Sequence, residues 1–189
     1  MPGERVTRKR VLGIVGSPRR GGNTDTLVGE VLRGAEEAGA LVEKVILSEL
    51  DIAPCAACNT CHETGRCAHQ DDMLPLVEQM RRCPVWVLGT PVYWWGPTAQ
   101  FKTFLDRWFG VERELFNGRA VILAVPLGGS ADYARYTMGI LTSVVDYLEM
   151  RLLATVLASG AYHPGAVRGQ PGLLEEAHRF GREAARGFG

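Results

Sequence analysis

Two loops and one cysteine cluster hold most of the residues in this chain that could do chemistry. The first loop reads Gly16-Ser17-Pro18-Arg19-Arg20-Gly21-Gly22-Asn23-Thr24. Its glycines permit close backbone approach, and Ser17, Asn23 and Thr24 offer hydroxyl and amide donors. The loop runs into the start of a helical pattern, whose free N–H groups and positive dipole end favour a phosphate. No Lys follows the glycines, so this is not a Walker A loop, and the Ser-Pro after Gly16 breaks the G-x-G-x-x-G dinucleotide pattern. A tight turn with Asn23 as an ordinary N-cap would explain neither Ser17 nor the two arginines.

The second loop is Thr90-Pro91-Val92-Tyr93-Trp94-Trp95-Gly96-Pro97. Adjacent tryptophans and a tyrosine in a loop are hard to account for as core, whereas a flat apolar ligand gives them a stacking partner. One Trp, Trp95 in particular, would equally serve to cover a sheet edge or fill a subunit interface. A third loop, from Pro126 to Asp132, contains Gly128 and Gly129, which can present N–H groups to a polar ring edge. On its own it looks like any strand-to-helix turn.

Four of the five cysteines lie between Cys55 and Cys67, spaced C-x2-C-x2-C-x5-C. Three thiolates at this pitch suit three corners of one [4Fe–4S] cubane, with Cys67 as the fourth ligand. Zinc more often pairs two C-x2-C knuckles across a longer gap, and a thioredoxin-like redox pair needs only two cysteines. The spacing is necessary for a cluster but not sufficient, so zinc and metal-free thiols stay open. His62 and His69 are adjacent, but four thiols already complete a site. Cys83 reads as a small buried hydrophobe. His163 and His178 have no partner pattern.

These loops need a scaffold, and the hydrophobic pattern supplies one. Apolar runs at 11–15, 41–47, 85–88, 120–125 and 152–157 read as strands. Helical periodicity covers 24–38, a segment opened by Asp71 and Asp72, 97–109, 133–149 and 173–186. Strands that are near-continuously apolar and alternate with helices predict a parallel sheet buried on both faces. The expected fold class is α/β, a doubly wound three-layer sandwich with a five-stranded parallel sheet. The cysteine-rich insertion, about residues 50–70, follows the second strand and is too long for a plain connection. Ligands of such sheets sit beyond the carboxyl ends of the strands, where all three loops emerge.

At 189 residues, with 46% hydrophobic and 22% charged residues, the chain fits one globular domain over 10–189 behind a flexible tail at 1–9. Lys+Arg and Asp+Glu are each 21, a balance that gives no reason to expect nucleic acid. No apolar run is long enough to span a membrane, and the N-terminus lacks a signal-peptide pattern. A cytoplasmic protein is expected, and in a reducing compartment clustered cysteines point to metal or redox chemistry.

Together, G-S-P-R-x-G-G-N-T after the first strand, G-T-P-V-Y-W-W after the third, and Phe101-Lys-Thr-Phe-Leu-Asp-Arg107 in the next helix resemble the flavodoxin-like NAD(P)H-dependent FMN reductase family. The resemblance covers about residues 10–160. It implies that Ser17, Arg19, Gly22, Asn23 and Thr24 hold the FMN phosphate. It also implies that Pro91, Val92, Tyr93, Trp94 and Gly96 border the flavin, with Gly128 and Gly129 near its pyrimidine edge. The compact cysteine motif is similar to that of the iron–sulfur flavoprotein branch, which implies Cys55, Cys58, Cys61 and Cys67 as ligands of a [4Fe–4S] cluster. Relatives that keep cysteines here as a plain lid leave a metal-free reading open.

The function expected from this is an oxidoreductase passing electrons between a reduced donor, FMN and the cluster. No catalytic side chain is required by that scheme. The alternatives are a cluster-free NAD(P)H-dependent reductase of FMN or quinones, and a non-catalytic electron carrier. NADPH, NADH and reduced ferredoxin are open as donors, the acceptor is a small molecule or a protein, and a homodimer or homotetramer is expected. Oligomerisation is motivated by the aromatic surplus beside the insertion.

Overall fold

A computed structural model describes residues 8–187, so the first seven residues of the expected tail lie outside it. Five strands, β1 (Arg10–Val15), β2 (Leu41–Ile46), β3 (Val85–Gly89), β4 (Ala120–Pro126) and β5 (Arg151–Ala158), form one sheet in the order β2-β1-β3-β4-β5. Every pairing is parallel, with one irregularity between Val121 and Ile122. The expected α/β sandwich is the observed one. Strand order reverses between β1 and β3, which is where an open parallel sheet of this order leaves a crevice for ligand.

The helices are α1 (Asn23–Glu37), α2 (Thr60–Thr64), α3 (Met73–Arg82), α4 (Ala99–Arg107), α5 (Arg135–Tyr147) and α6 (Pro171–Arg186). Alternate strand residues feed two separate cores, as the two-residue period of a strand requires. Leu12, Ile14, Trp86, Leu88, Val121 and Leu123 pack with α3, α4 and α5 on one face. Val11, Val15, Val85, Val87, Ile122 and Ala124 pack with α1 and α6 on the other. The two helices of this second face cross almost backbone to backbone. A Cβ on Gly34 would lie 1.9 Å from the His178 carbonyl oxygen, and one on Gly181 would lie 1.9 Å from that of Val31. Only glycine permits that approach.

Two local expectations shift. The insertion contains the short helix α2, entered and left through left-handed Asn59 and Gly65. The helix expected from residue 133 instead begins at Arg135, after a 3-10 turn over Ala131–Ala134.

Candidate active site

The loops after β1, β3 and β4 meet at the carboxyl end of the sheet, stitched by Thr98. Its hydroxyl donates to the Gly16 carbonyl at 2.5 Å and accepts from the Phe101 N–H, starting α4. The Thr98 N–H in turn donates to the Thr90 hydroxyl. Gly16 N–H reaches the Gly89 carbonyl at 2.7 Å, and Val92 N–H reaches that of Pro126 at 3.3 Å. These buried bonds fix the loops relative to one another, because each group left unpaired would cost about 1–3 kcal/mol.

Between the loops lies a crevice of about 440 Å³. One end is bordered by Ser17, Arg19, Gly22, Asn23 and Thr24, and one wall by Pro91, Val92 and Tyr93. Ser17 is 4% exposed, and its oxygen accepts from the Arg19 N–H at 3.2 Å. No side chain caps α1, and its opening backbone bond is Thr26 N–H to the Gly22 carbonyl. The N–H groups of residues 23–25 therefore have no intrahelical partner, a donor set suited to a dianion. Asp25, in the same turn, is engaged elsewhere. Burial pushes its carboxyl up, but hydrogen bonds from Lys44 and Gly21 outweigh this and hold it below the ordinary carboxylate value.

Gly128 borders the crevice beside Pro126 and Leu127. Trp94 and Gly129 instead border an adjoining apolar cavity of about 390 Å³, together with Val92, Trp95, Tyr133 and Tyr162. Gly96 borders neither cavity and closes a turn, exchanging two backbone bonds with Tyr93 at 2.9 and 3.0 Å. The sequence reading did not include the last wall of the crevice, Ala161, Tyr162, His163 and Pro164. The available signal was the Gly/Pro-rich stretch leaving the carboxyl end of the fifth strand, the same place from which the other loops were inferred.

The cysteine insertion is held by Arg107, which is 2% exposed. Its guanidinium donates to Asp71 at 2.5 and 3.0 Å, to the Ala53 carbonyl at 2.8 Å and to the Cys67 sulfur at 3.3 Å. Cys55 and Cys58 are exposed, while Cys61 and Cys67 are half-buried. Hydrogen bonds from Thr60 hold the Cys58 thiol below the ordinary cysteine value.

This geometry corrects the cluster expectation. Among the described residues, no group of three or more His, Cys, Asp or Glu side chains is arranged to hold a metal ion. Cys55, Cys58, Cys61 and Cys67 do border one cavity, but its volume is about 20 Å³. That is room on the scale of a single water. The Cys67 sulfur is taken up by Arg107, and left-handed Ala57 and Asn59 set the chain between the thiols. Cysteine spacing along the chain is therefore not matched by a ligand set in space. The expectation of a [4Fe–4S] cluster falls while that of FMN stands, and the cluster-free alternative is the better supported reading.

A doubly wound sheet of this order, with a phosphate-type loop facing an aromatic loop, defines a flavodoxin-like protein. The family model for NADPH-dependent FMN reductase matches residues 9–164, and the chain belongs to that family of flavin-dependent oxidoreductases. It is 41% identical over 98 residues to an iron-sulfur flavoprotein of Methanocaldococcus jannaschii, a stretch covering 52% of this chain and 51% of the relative. With an iron-sulfur flavoprotein of Methanosarcina thermophila it shares 34% identity over 122 residues, covering 64% of each chain. The match thus spans about half to two thirds of these relatives' length. The solved NAD(P)H:quinone oxidoreductase of Methanothermobacter marburgensis superposes with a TM-score of 0.72 at 17% identity, over 94% of this chain and 100% of that one. At that identity the likeness shows the fold. Among the described residues, no helix is long and apolar enough to cross a membrane.

Proposed function

We propose that this chain binds FMN in the crevice and is a cluster-free reductase, taking electrons from a reduced nicotinamide and delivering them to a flavin- or quinone-like small molecule. One observation carries the reading. A donor-rich end (Ser17, Arg19, Asn23, Thr24) and an apolar wall (Pro91, Val92, Tyr93) border the same crevice. That combination suits a ligand with an anionic tail and a flat apolar head. Bound FMN supplies two-electron chemistry with nicotinamides and one- or two-electron chemistry with acceptors.

The protein's part is binding and orientation. Ser17, the N–H groups of Asn23 and Thr24 and the Arg19 guanidinium take the phosphate. Pro91, Val92 and Tyr93 lie along the ring, Gly128 approaches its polar edge, and the aromatic cavity beside it receives the acceptor. We assign no acid or base among the side chains. Free cysteines suit a cytoplasmic setting, and the exposed Trp94, Phe109 and Tyr147 suit a homo-oligomer.

The test is steady-state oxidation of NADPH and NADH, in air, by protein loaded with FMN alone, using free FMN or a quinone as acceptor. Turnover is expected. Bound flavin with no turnover by either donor would leave an electron carrier in its place.

A further inference from the structure

Asn23 opens α1, yet its side chain reaches across to the loop after β5, some 140 residues along the chain. Its Nδ2 donates to the carbonyls of Ala161 and His163, each at 2.8 Å, and its Oδ1 accepts from the Val167 N–H at 3.3 Å. Both amide hydrogens are thereby used. Ala161 is tied on its other side as well, because its N–H donates to the Leu127 carbonyl at 2.7 Å. The carboxamide thus joins α1 to the loop after β5, and the Ala161 N–H ties that loop to the one after β4.

The two carbonyls it grips flank Tyr162. That residue borders both the crevice and the adjoining aromatic cavity, and its side chain is 74% exposed. Tyr162 also occupies the space over Gly128, where an added Cβ would come 2.6 Å from its Cδ2 and 3.2 Å from its Cβ. Among the described residues the Tyr162 side chain makes no hydrogen bond, and its ring packs edge-on against that of His163, centroids 5.1 Å apart, so the backbone that Asn23 grips carries both rings.

We propose that Asn23 is a positioning residue, whose carboxamide clamps the loop after β5 so that Tyr162 stands as a preformed wall of the ring end of the flavin site. This rests on reading the crevice as that site. Asn23 then contributes to the phosphate only through its backbone N–H, and its side chain acts at the far end of the ligand. A wall ordered before binding spares the ligand the entropy of ordering it.

The two ligands that separate these roles are FMN and riboflavin, titrated against the full-length protein by flavin fluorescence. Asn23→Ala should weaken both by the same factor, about tenfold. In a Tyr162→Ala background the same substitution should have less than about a twofold effect on either, because the two residues act as a unit. Gly128→Ala, which leaves α1 untouched and displaces Tyr162 sterically, should weaken both ligands when Tyr162 is present and by less than about twofold in the Tyr162→Ala background. That contrast separates the displaced ring from Gly128's own place at the flavin edge, and it carries the test if Asn23→Ala does not fold. A loss confined to FMN would put the carboxamide on the phosphate and overturn the proposal. So would an Asn23→Ala effect that persists without Tyr162, or unaltered riboflavin binding in Gly128→Ala. Wild-type protein that binds neither ligand would instead remove the flavin reading itself.

Discussion

Arg107 and Asp71 meet through two parallel hydrogen bonds, at 2.5 and 3.0 Å, beneath the cysteine insertion. Asp71 also accepts from the Ala53 N–H at 3.0 Å, while Arg107 donates to the Ala53 carbonyl and the Cys67 sulfur. One ion pair thus pins both ends of the insertion onto α4. Removing the cation leaves a mostly buried carboxylate with only the Ala53 and Met73 N–H groups as partners, and losing one member of a buried ion pair typically costs about 3–5 kcal/mol. For Arg107→Leu we expect a fall in melting temperature of about 10 °C and faster cleavage within residues 50–70 by limited proteolysis. Unchanged melting with intact protease resistance would show that the insertion is held by other contacts.

The same pair makes the insertion acid-sensitive. Burial pushes the Asp71 carboxyl up, but the Arg107 guanidinium and the N–H groups of Ala53 and Met73 outweigh this and depress it below the ordinary value. A folded value below the unfolded one, about 3.9, means the stabilisation is fully present above that value. It is lost as pH falls through the lower, folded value. The gap in stability between wild type and Asp71→Asn should be constant near neutrality and close below about pH 4. A gap that is flat down to acid unfolding would contradict the pairing.

Thiol chemistry separates the exposed cysteines from the buried one. Burial, with the Glu43 carboxylate, pushes the Cys83 thiol up to about 11, whereas Thr60 lowers that of Cys58. The thiolate is the reactive form. Iodoacetamide at pH 7.5 should therefore label Cys58 in the native protein and leave Cys83 unmodified, as read by peptide mass spectrometry. Labelling of Cys83 at a comparable rate would mean that the core around β3 opens.

Ser17 offers a test of the phosphate end. A hydrogen bond to a charged group is worth about 1.5–3 kcal/mol, so Ser17→Ala should weaken FMN by about 10–100-fold and riboflavin by little. Equal losses for the two ligands would place the phosphate elsewhere in the crevice.

What the sequence made legible was whatever has a period or a local signature. The five strands and the crevice loops follow from apolar runs and from glycine, proline and hydroxyl residues at strand ends, and these survive folding unchanged. What it concealed depends on contacts between distant segments. The Asn23 carboxamide looks like a helix cap or a phosphate donor until the loop after β5 is seen against it. The cysteine spacing looks like a cluster until the space between the thiols is measured. Tyr162 has no motif of its own, and its position is set by Gly128 and Asn23, both far away in sequence.

The aromatic loop carries a conformational oddity that sequence patterns would not suggest. Tyr93 and Gly96 exchange backbone hydrogen bonds around Trp94 and Trp95, whose φ values are 50° and 62°. Positive φ at both central residues is the signature of a type I′ turn, a geometry that favours Asn-Gly and penalises bulky side chains. Strain of about 1–3 kcal/mol per residue is kept mainly where function needs it. The turn is braced from outside. Thr137 donates to the Trp95 carbonyl at 2.9 Å, and Tyr133 packs edge-on against the Trp95 ring with centroids 6.4 Å apart. Trp94 is 91% exposed, so it contributes little packing in return for its strain. Replacing it with Asn, a residue that tolerates the left-handed region, should therefore raise stability by about 1 kcal/mol. The same change removes one aromatic wall from the cavity beside the flavin crevice. The KM for a flat aromatic acceptor should rise several-fold, while turnover with ferricyanide, which needs no stacking surface, stays the same. A Trp94→Asn protein that is no more stable, and that handles both acceptors as wild type does, would mean that the turn is unstrained and the indole idle.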